Sequence, residues 1–386
     1  MGLERYAHLA WGCPLELTRS RSYSRELITP YGSIADLRVP KLRRGNGALS
    51  WQSIPATTAV GDHFWTPGES YCLGYSLRDL QGTRALTLGE MVSLSAYNRI
   101  VSSVAEQIKA FKTQLLESLP PIVLVDGMWV KIADPTGDHG LDTQGRLRAV
   151  KRKEKRVVLS ALGLWGDGHW EIVHWQSATG ETEASWHHFL GELSHKGLTE
   201  ETTKLVGSDG SSGLESALDD HVYGVPHQRC IFHKIKNLAD HLVFDELDIE
   251  TASDEDKALR QARQARKKAI LADASAVYED HVEAEIRQRA AHFRDKWQGR
   301  EPEAVAAFFV DFDKTFAYLK IDFPDSLLSL IRTTNLLERF HREARRKQHD
   351  IGMFQSKHGC EVLWYLMAMR ETAKQQALLK CNQCRL

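Results

Sequence analysis

The sequence predicts an α/β fold: a mixed sheet with an inserted all-α segment, preceded by a helix-turn-helix-like region. Three observations carry this. Between Ile122 and Phe232 short apolar runs alternate with amphipathic stretches, the pattern of strands exchanging with helices. From about Lys234 to Asp322 the chain becomes Ala-, Arg- and Glu-rich with a helical period. Between Tyr71 and Phe111 a short helical pattern, a Gly or Ser turn and a longer helical pattern from near Ser93 follow one another.

Taken in order, residues 1–66 are rich in turn signals, with one alternating run at Ser33 to Val39, and are read as a β-rich lead-in. Residues 67–118 form the helix-turn-helix-like region, in which Ser95, Asn98 and Arg99 share a face that fits a major groove; three packed helices of no special purpose give the same pattern. After Pro120-Pro121, residues 119–233 hold a strand from Ile122 to Ile132, a hairpin of Lys155–Leu164 with His169–Ser177, and a helix from Glu181 to His195. A strand from Lys204 to Asp209, a helix from Gly213 to Leu218 and a last strand from Val225 to Phe232 complete it. A three-strand meander, then helix, strand, helix, strand, is the order of an RNase H-like core. Residues 234–325 are the helical insertion, with caps expected at Ser253 and Asp273, and residues 326–386 return to the core as final helices. The stretch Asp134 to Asp142 lacks the ligand alternation of a calcium loop and is read as a surface loop.

A chain of 386 residues with 42% apolar and 26% charged residues can bury a sizeable core without staples. Its 50 basic and 51 acidic residues nearly cancel, so attraction to a polyanion must come from local patches. Six scattered cysteines point to a reducing compartment, and neither an apolar signal core nor a long apolar run is present. A cytoplasmic location and no membrane partner are therefore expected. Cys381-Asn-Gln-Cys384 has metal-like spacing without a second pair and is read as a tail.

Two acids end apolar strands, Asp126 in Val-Asp-Gly and Asp209 in Ser-Asp-Gly. Burying a carboxylate there costs several kcal/mol unless it is paired or binds a cation. Each alone reads as a turn aspartate; two on adjacent strands do not read so easily. A third acid, Glu338, stands near the start of an amphipathic helix, capped by Thr333 or Thr334, among Arg339, Arg342, Arg345 and Arg346. Either it forms an exposed pair with Arg342, or it serves a metal while the arginines hold a polyanion.

The runs Val125-Asp-Gly-Met-Trp-Val-Lys131, Ser208-Asp-Gly-Ser-Ser-Gly213, Gln228-Arg-Cys-Ile-Phe-His233 and Thr333-Thr-Asn-Leu-Leu-Glu-Arg339 resemble, in order, the motifs of Mutator-type DDE transposases of insertion sequences. The resemblance spans roughly residues 70 to 375. It implies an RNase H-like catalytic domain with Asp126, Asp209 and Glu338 as its triad. It also implies a DNA transposase that cleaves element ends and joins them to target DNA. Such in-line phosphoryl transfer is served by two hard cations about 3.5–4 Å apart, Mg²⁺ with Mn²⁺ as a substitute, held by the three acids. Double-stranded DNA is the implied partner, and a homodimer or higher assembly is expected because two ends react in concert. Alternatives are an RNase H-like nuclease without strand transfer and a domesticated DNA-binding protein. His341 stands where the family more often has Asn.

Arg339, Arg342, Arg345 and Arg346 suit phosphates through their planar forks. Arg229 and His233 are further phosphate candidates; Cys230-x-x-His233 is incomplete as a zinc site, and Cys230 is otherwise a buried strand-end cysteine. Lys151 and Arg152, in the densest basic run, are either a second track for DNA or a solvated hairpin edge. Trp129, Trp165, Trp170 and Trp175 are read as core. Trp297 either packs in the core or stacks on an unpaired base.

Overall fold

The computed structural model describes residues 17–29, 32–44, 47–49, 104–141, 143–222, 224–243, 254–354 and 356–383. The chain divides into two units, residues 1–103 and 104–386. In the first, β1 (Leu17–Thr29), β2 (Gly32–Arg44) and β3 (Gly47–Leu49) form an antiparallel sheet in that order, and β2 contains the expected Ser33 to Val39 run. The expected helix-turn-helix, with Asn98 and Arg99, lies outside the described residues.

The second unit opens on α1 (Ala105–Thr113) and then builds one five-stranded sheet from β4 (Ile122–Leu141), β5 (Leu147–Leu164), β6 (Trp170–Ala178), β7 (Leu205–Ser208) and β8 (His227–Arg229). Between the last three strands run α2 (Glu183–His195) and α3 (Ser212–His221). The strand order is β6-β5-β4-β7-β8, antiparallel among β6, β5 and β4 and parallel from β4 through β8. The alternation along each strand decides the two faces. Val123, Val125, Val157, Leu159, Ala161 and Val173 point to one side, where they pack with Trp186, Phe189, Leu190, Leu214 and Leu218 of α2 and α3. On the other side lie α8 (Asn335–Ile351) and α9 (Lys357–Gln383), whose His341 and Trp364 both reach Ser160 of β5.

Helices α4 (Ile231–Asp240), α5 (Asp254–Ala276), α6 (Glu283–Trp297) and α7 (Pro302–Phe309), with a 3₁₀ segment at Phe312–Lys320, make up the inserted segment. It is tied to the sheet by a polar side chain that makes its hydrogen bonds to backbone. Gln228 of β8 donates to Thr315 O at 2.7 Å and accepts from Tyr318 N at 3.0 Å. Within the segment itself, the fully buried Lys234 of α4 donates to the carbonyls of Ala307 and Val310, which the end of α7 leaves unpaired.

Four expectations are corrected. Asp134 to Leu141 is strand, not loop: a bulge between Pro135 and His139 absorbs the turn-forming residues, and pairing resumes from His139↔Ala149 to Leu141↔Leu147. Because β6 pairs only with residues 157–164 of β5, the outer β4–β5 ribbon projects beyond that strand. The last strand is only His227–Arg229, so Cys230 and His233 stand at the start of α4. Asp273 sits inside α5 and caps nothing; it accepts from Trp297 Nε1 at 2.7 Å and pairs with Lys296, while Ser253 lies outside the described residues. Trp170, Trp175 and Trp297 are buried, but Trp129 is 50% exposed.

Candidate active site

Strand register brings the two strand-borne acids together. β4 pairs in parallel with β7 through Leu124↔Gly207, so continuing that register by two residues sets Asp126 across from Asp209. β7 stops at Ser208, and the same edge of β4 is next bridged at Ile132 by Phe354. The edge between those points carries no strand partner among the described residues. Gly210 follows Asp209 with φ +84°, a turn that glycine takes without strain, and a β-carbon there would stand 2.7 Å from Arg229 Nε. Burial and then the charge of Asp126 push the Asp209 carboxyl up, against the opposing pull of His233, the Ser211 N–H and Arg229.

Asp126 is held from both sides. Its Oδ1 accepts the Gly127 N–H at 2.8 Å, and its Oδ2 lies 3.2 Å from His341 Nδ1. His341 Nε2 lies 3.1 Å from Ser160 Oγ, which in turn accepts from Trp364 Nε1 at 3.3 Å. An indole N–H can only donate and an ionised carboxylate can only accept. Trp364 N–H therefore donates to the Ser160 oxygen, and His341 Nδ1–H to Asp126, with His341 Nε2 and Ser160 sharing the hydrogen bond between them.

Glu338 enters from the first turn of α8. Thr334 occupies the cap position, but its hydroxyl donates to Glu338 Oε1 at 2.9 Å and does not cap the helix. His233 Nδ1 is 3.7 Å from the same oxygen. Glu338 thus takes its partners from Thr334 and His233, whereas Arg342 is exposed. The Cys230 sulfur beside His233, followed by Glu338 and Asp209, raises the imidazole to about 9 despite its burial. Burial pushes the Cys230 thiol up, yet His233 and the Thr334 N–H outweigh it and the net shift is downward. Cys230, His233 and Glu338 offer donor atoms within 4.8 Å of one another. Three donors fall short of the four that close a structural zinc site, and no fourth joins them among the described residues.

One acid in this neighbourhood escapes sequence reasoning. Glu181 precedes α2 and is pushed up by burial, then by Asp209, then by Asp126, while a hydrogen bond from Trp129 pulls it down. Two glycines make its place. A β-carbon on Gly127 would lie 2.7 Å from Glu181 Oε1, and one on Gly213 would lie 3.1 Å from the Glu181 carbonyl. The only hint in the sequence is that both aspartate motifs carry glycines.

The basic residues divide. Arg339, Arg342, Arg345 and Arg346 are exposed on α8, with Arg346 also paired to Glu343 at 3.0 Å. Lys151 and Arg152 are exposed on the β4–β5 ribbon. Arg229 turns instead to Asp311, 2.6 Å away, and is largely buried; His233 sits among the acids.

Residues 12–249 and 255–376 match the family described as Transposase, Mutator family, which covers most of the chain. The chain belongs to the Mutator family of transposases. Similar proteins include the transposase for insertion sequence element ISRM5 of Rhizobium meliloti (strain 1021), 25% identical over 89% of this chain and 76% of that protein. The transposase for insertion sequence element IS256 in transposon Tn4001 of Staphylococcus aureus is 24% identical over 87% of this chain and 76% of its own length. Among solved structures, the Drosophila P element transposase strand transfer complex matches 83% of this chain and 82% of that one at 12% identity, with a TM-score of 0.30, too low to speak to the fold. Among the described residues of this Mutator-family transposase, no helix is long and apolar enough to cross a membrane.

Proposed function

We propose that this transposase cleaves the ends of its element and joins them to target DNA at one site built from Asp126, Asp209 and Glu338. The observation that carries the reading is the register that sets Asp126 across from Asp209 at an open strand edge. The sheet order, three antiparallel strands followed by two parallel ones, supports an RNase H-like core.

The donor set suits a hard divalent cation. Its atoms are carboxylate oxygens, and the upward shifts of Asp209 and Glu181 arise partly from mutual repulsion that a cation relieves. Asp126, Asp209 and Glu338 would hold the ions, Mg²⁺ or Mn²⁺. When bound, such ions activate the attacking oxygen and stabilise the leaving one. The chain's own groups hold the acids in place: His341 and the Gly127 N–H orient Asp126, Thr334 and His233 orient Glu338, and Gly210 turns the backbone beyond Asp209. The exposed arginines of α8 lie on the helix that carries Glu338 and suit the phosphates of duplex DNA. Two ends joined in concert call for a dimer or higher assembly, and a cytoplasmic location suits a DNA-acting enzyme.

The test incubates the protein with DNA carrying the ends of its own element, Mg²⁺ and a target plasmid. Joined products support transposition by this site. Cuts without joining indicate a nuclease, and a gel shift without cutting indicates a binding protein.

A further inference from the structure

Trp129 lies four residues after the buried Val125 on a central strand, yet half of it faces solvent, while Trp175 on β6 is 1% exposed. A large ring left open beside the acids calls for an explanation. Trp129 follows Gly127 by two residues on the same face, where a β-carbon on Gly127 would stand 2.7 Å from Glu181 Oε1, and its Cη2 lies 4.0 Å from where a β-carbon on Gly180 would stand, so the ring lies beside Glu181. The ribbon's register continues from it. Trp129 pairs with Val157, Lys131 with Lys155, and Ala133 with Lys153, and residues directly opposite in an antiparallel pair point to the same side. Val157 is covered by the helices, but Lys131, Lys153 and Lys155 are exposed. One face of the ribbon thus presents an aromatic ring beside Glu181 and then three ammonium groups leading away from it.

We propose that Trp129 is the stacking platform for an unpaired base of a DNA strand whose phosphates run along Lys131, Lys155 and Lys153. Alternating a π-face with a cationic track is how proteins hold single strands without reading sequence. The exposure of the ring and the charge beside it favour a polyanionic, base-bearing occupant over an apolar one. This deepens the proposed function by naming what that site holds next to the reacting phosphate: a strand already parted from its complement.

The test uses the full chain with two probes of unrelated sequence, a single-stranded oligodeoxythymidine of about twenty nucleotides and a duplex of the same length, read by fluorescence anisotropy. Trp129→Ala is expected to weaken single-strand binding roughly tenfold while leaving duplex binding unchanged, and Trp129→Phe to restore most of it. A second measurement replaces thymines by 5-iododeoxyuridine and maps photo-crosslinks by mass spectrometry, with a crosslink at Trp129 expected. Equal affinity of Trp129→Ala and wild type for the single strand, or crosslinks only at other residues, overturns the proposal. Asp126→Asn is the control: if it still cleaves, the catalytic reading fails while the strand-binding result stands on its own.

Discussion

His341 Nδ1 lies 3.2 Å from Asp126 Oδ2, and the imidazole that makes this contact is 1% exposed between the sheet and α8. Its other nitrogen is set by Ser160, and Ser160 is set by Trp364. In the proposed site the histidine would be a positioning residue, fixing one carboxylate at one angle, as partners of metal-binding side chains generally do.

His341→Asn keeps an amide donor near Asp126 but loses the reach to Ser160; His341→Ala keeps neither. We expect cleavage to fall about tenfold in the first and about a hundredfold in the second. Metal dependence should move with it, so a titration with Mn²⁺ separates lost positioning from simple unfolding. Equal rates for Ala and wild type would remove the histidine from the account.

Gly127→Ala and Glu181→Gln should resemble one another. The added methyl carbon would stand 2.7 Å from Glu181 Oε1 and 3.0 Å from Val157 Cγ2, so the carboxyl must leave its position. Both variants are expected to weaken divalent-ion binding several-fold, read by calorimetric titration with Mn²⁺, with little change in melting temperature for Glu181→Gln. Divergent behaviour of the pair shows that Gly127 serves the packing of Val157 and not the fourth acid.

Lys234→Met tests the seam between α4 and the end of α7 inside the helical insertion. It strands the buried carbonyl of Ala307 and the partly buried one of Val310, both of which the ammonium now satisfies. A loss of about 2–4 kcal/mol is expected, measured by urea denaturation, because two acceptors lose their donor at once.

Acid should destabilise this unit through two buried histidines. Burial, then the neighbouring Lys196, lowers His174 to about 3; burial, then Lys314, lowers His227 to about 4. Both stay neutral in the folded chain while the unfolded chain takes up protons below its ordinary value of 6.5. Their contribution is whole above that pH and is lost as pH falls, by about 1.4 kcal/mol per unit for each residue. His174→Leu also removes an Nδ1 that is buried with no partner among the described residues. Urea midpoints at pH 7 and pH 5 should differ less in that variant than in wild type.

What the sequence could show follows from which interactions are local. Asp126 and Asp209 stood out because an acid ending an apolar run and followed by glycine is anomalous over four residues. The helix of Glu338 was legible from its period, with Thr333 or Thr334 expected to cap it; Thr334 takes the position, but its hydroxyl turns toward Glu338 and caps nothing. Glu181 was illegible because an acid just before a helix is ordinary, and its neighbours come from positions 126, 129 and 209. His341 stands four residues after Leu337 and three before Ala344, on the buried stripe, but nothing local named Asp126 and Ser160 as its partners. The ribbon at Asp134-Pro-Thr-Gly137 imitated a loop because proline and glycine mark turns, yet a bulge holds them within a strand. Trp129 was read as core from its strand, yet it stands in the last row that β6 reaches, Trp129–Val157–Ala178, where the sheet gives way to the projecting ribbon.

The most direct measurement compares Asp126→Asn, Asp209→Asn and Glu338→Gln with wild type in joining element-end DNA to a plasmid in Mg²⁺. The account predicts that each variant still shifts the DNA in a gel yet loses joining by about a thousandfold or more. Wild-type joining by any one of the three would contradict it.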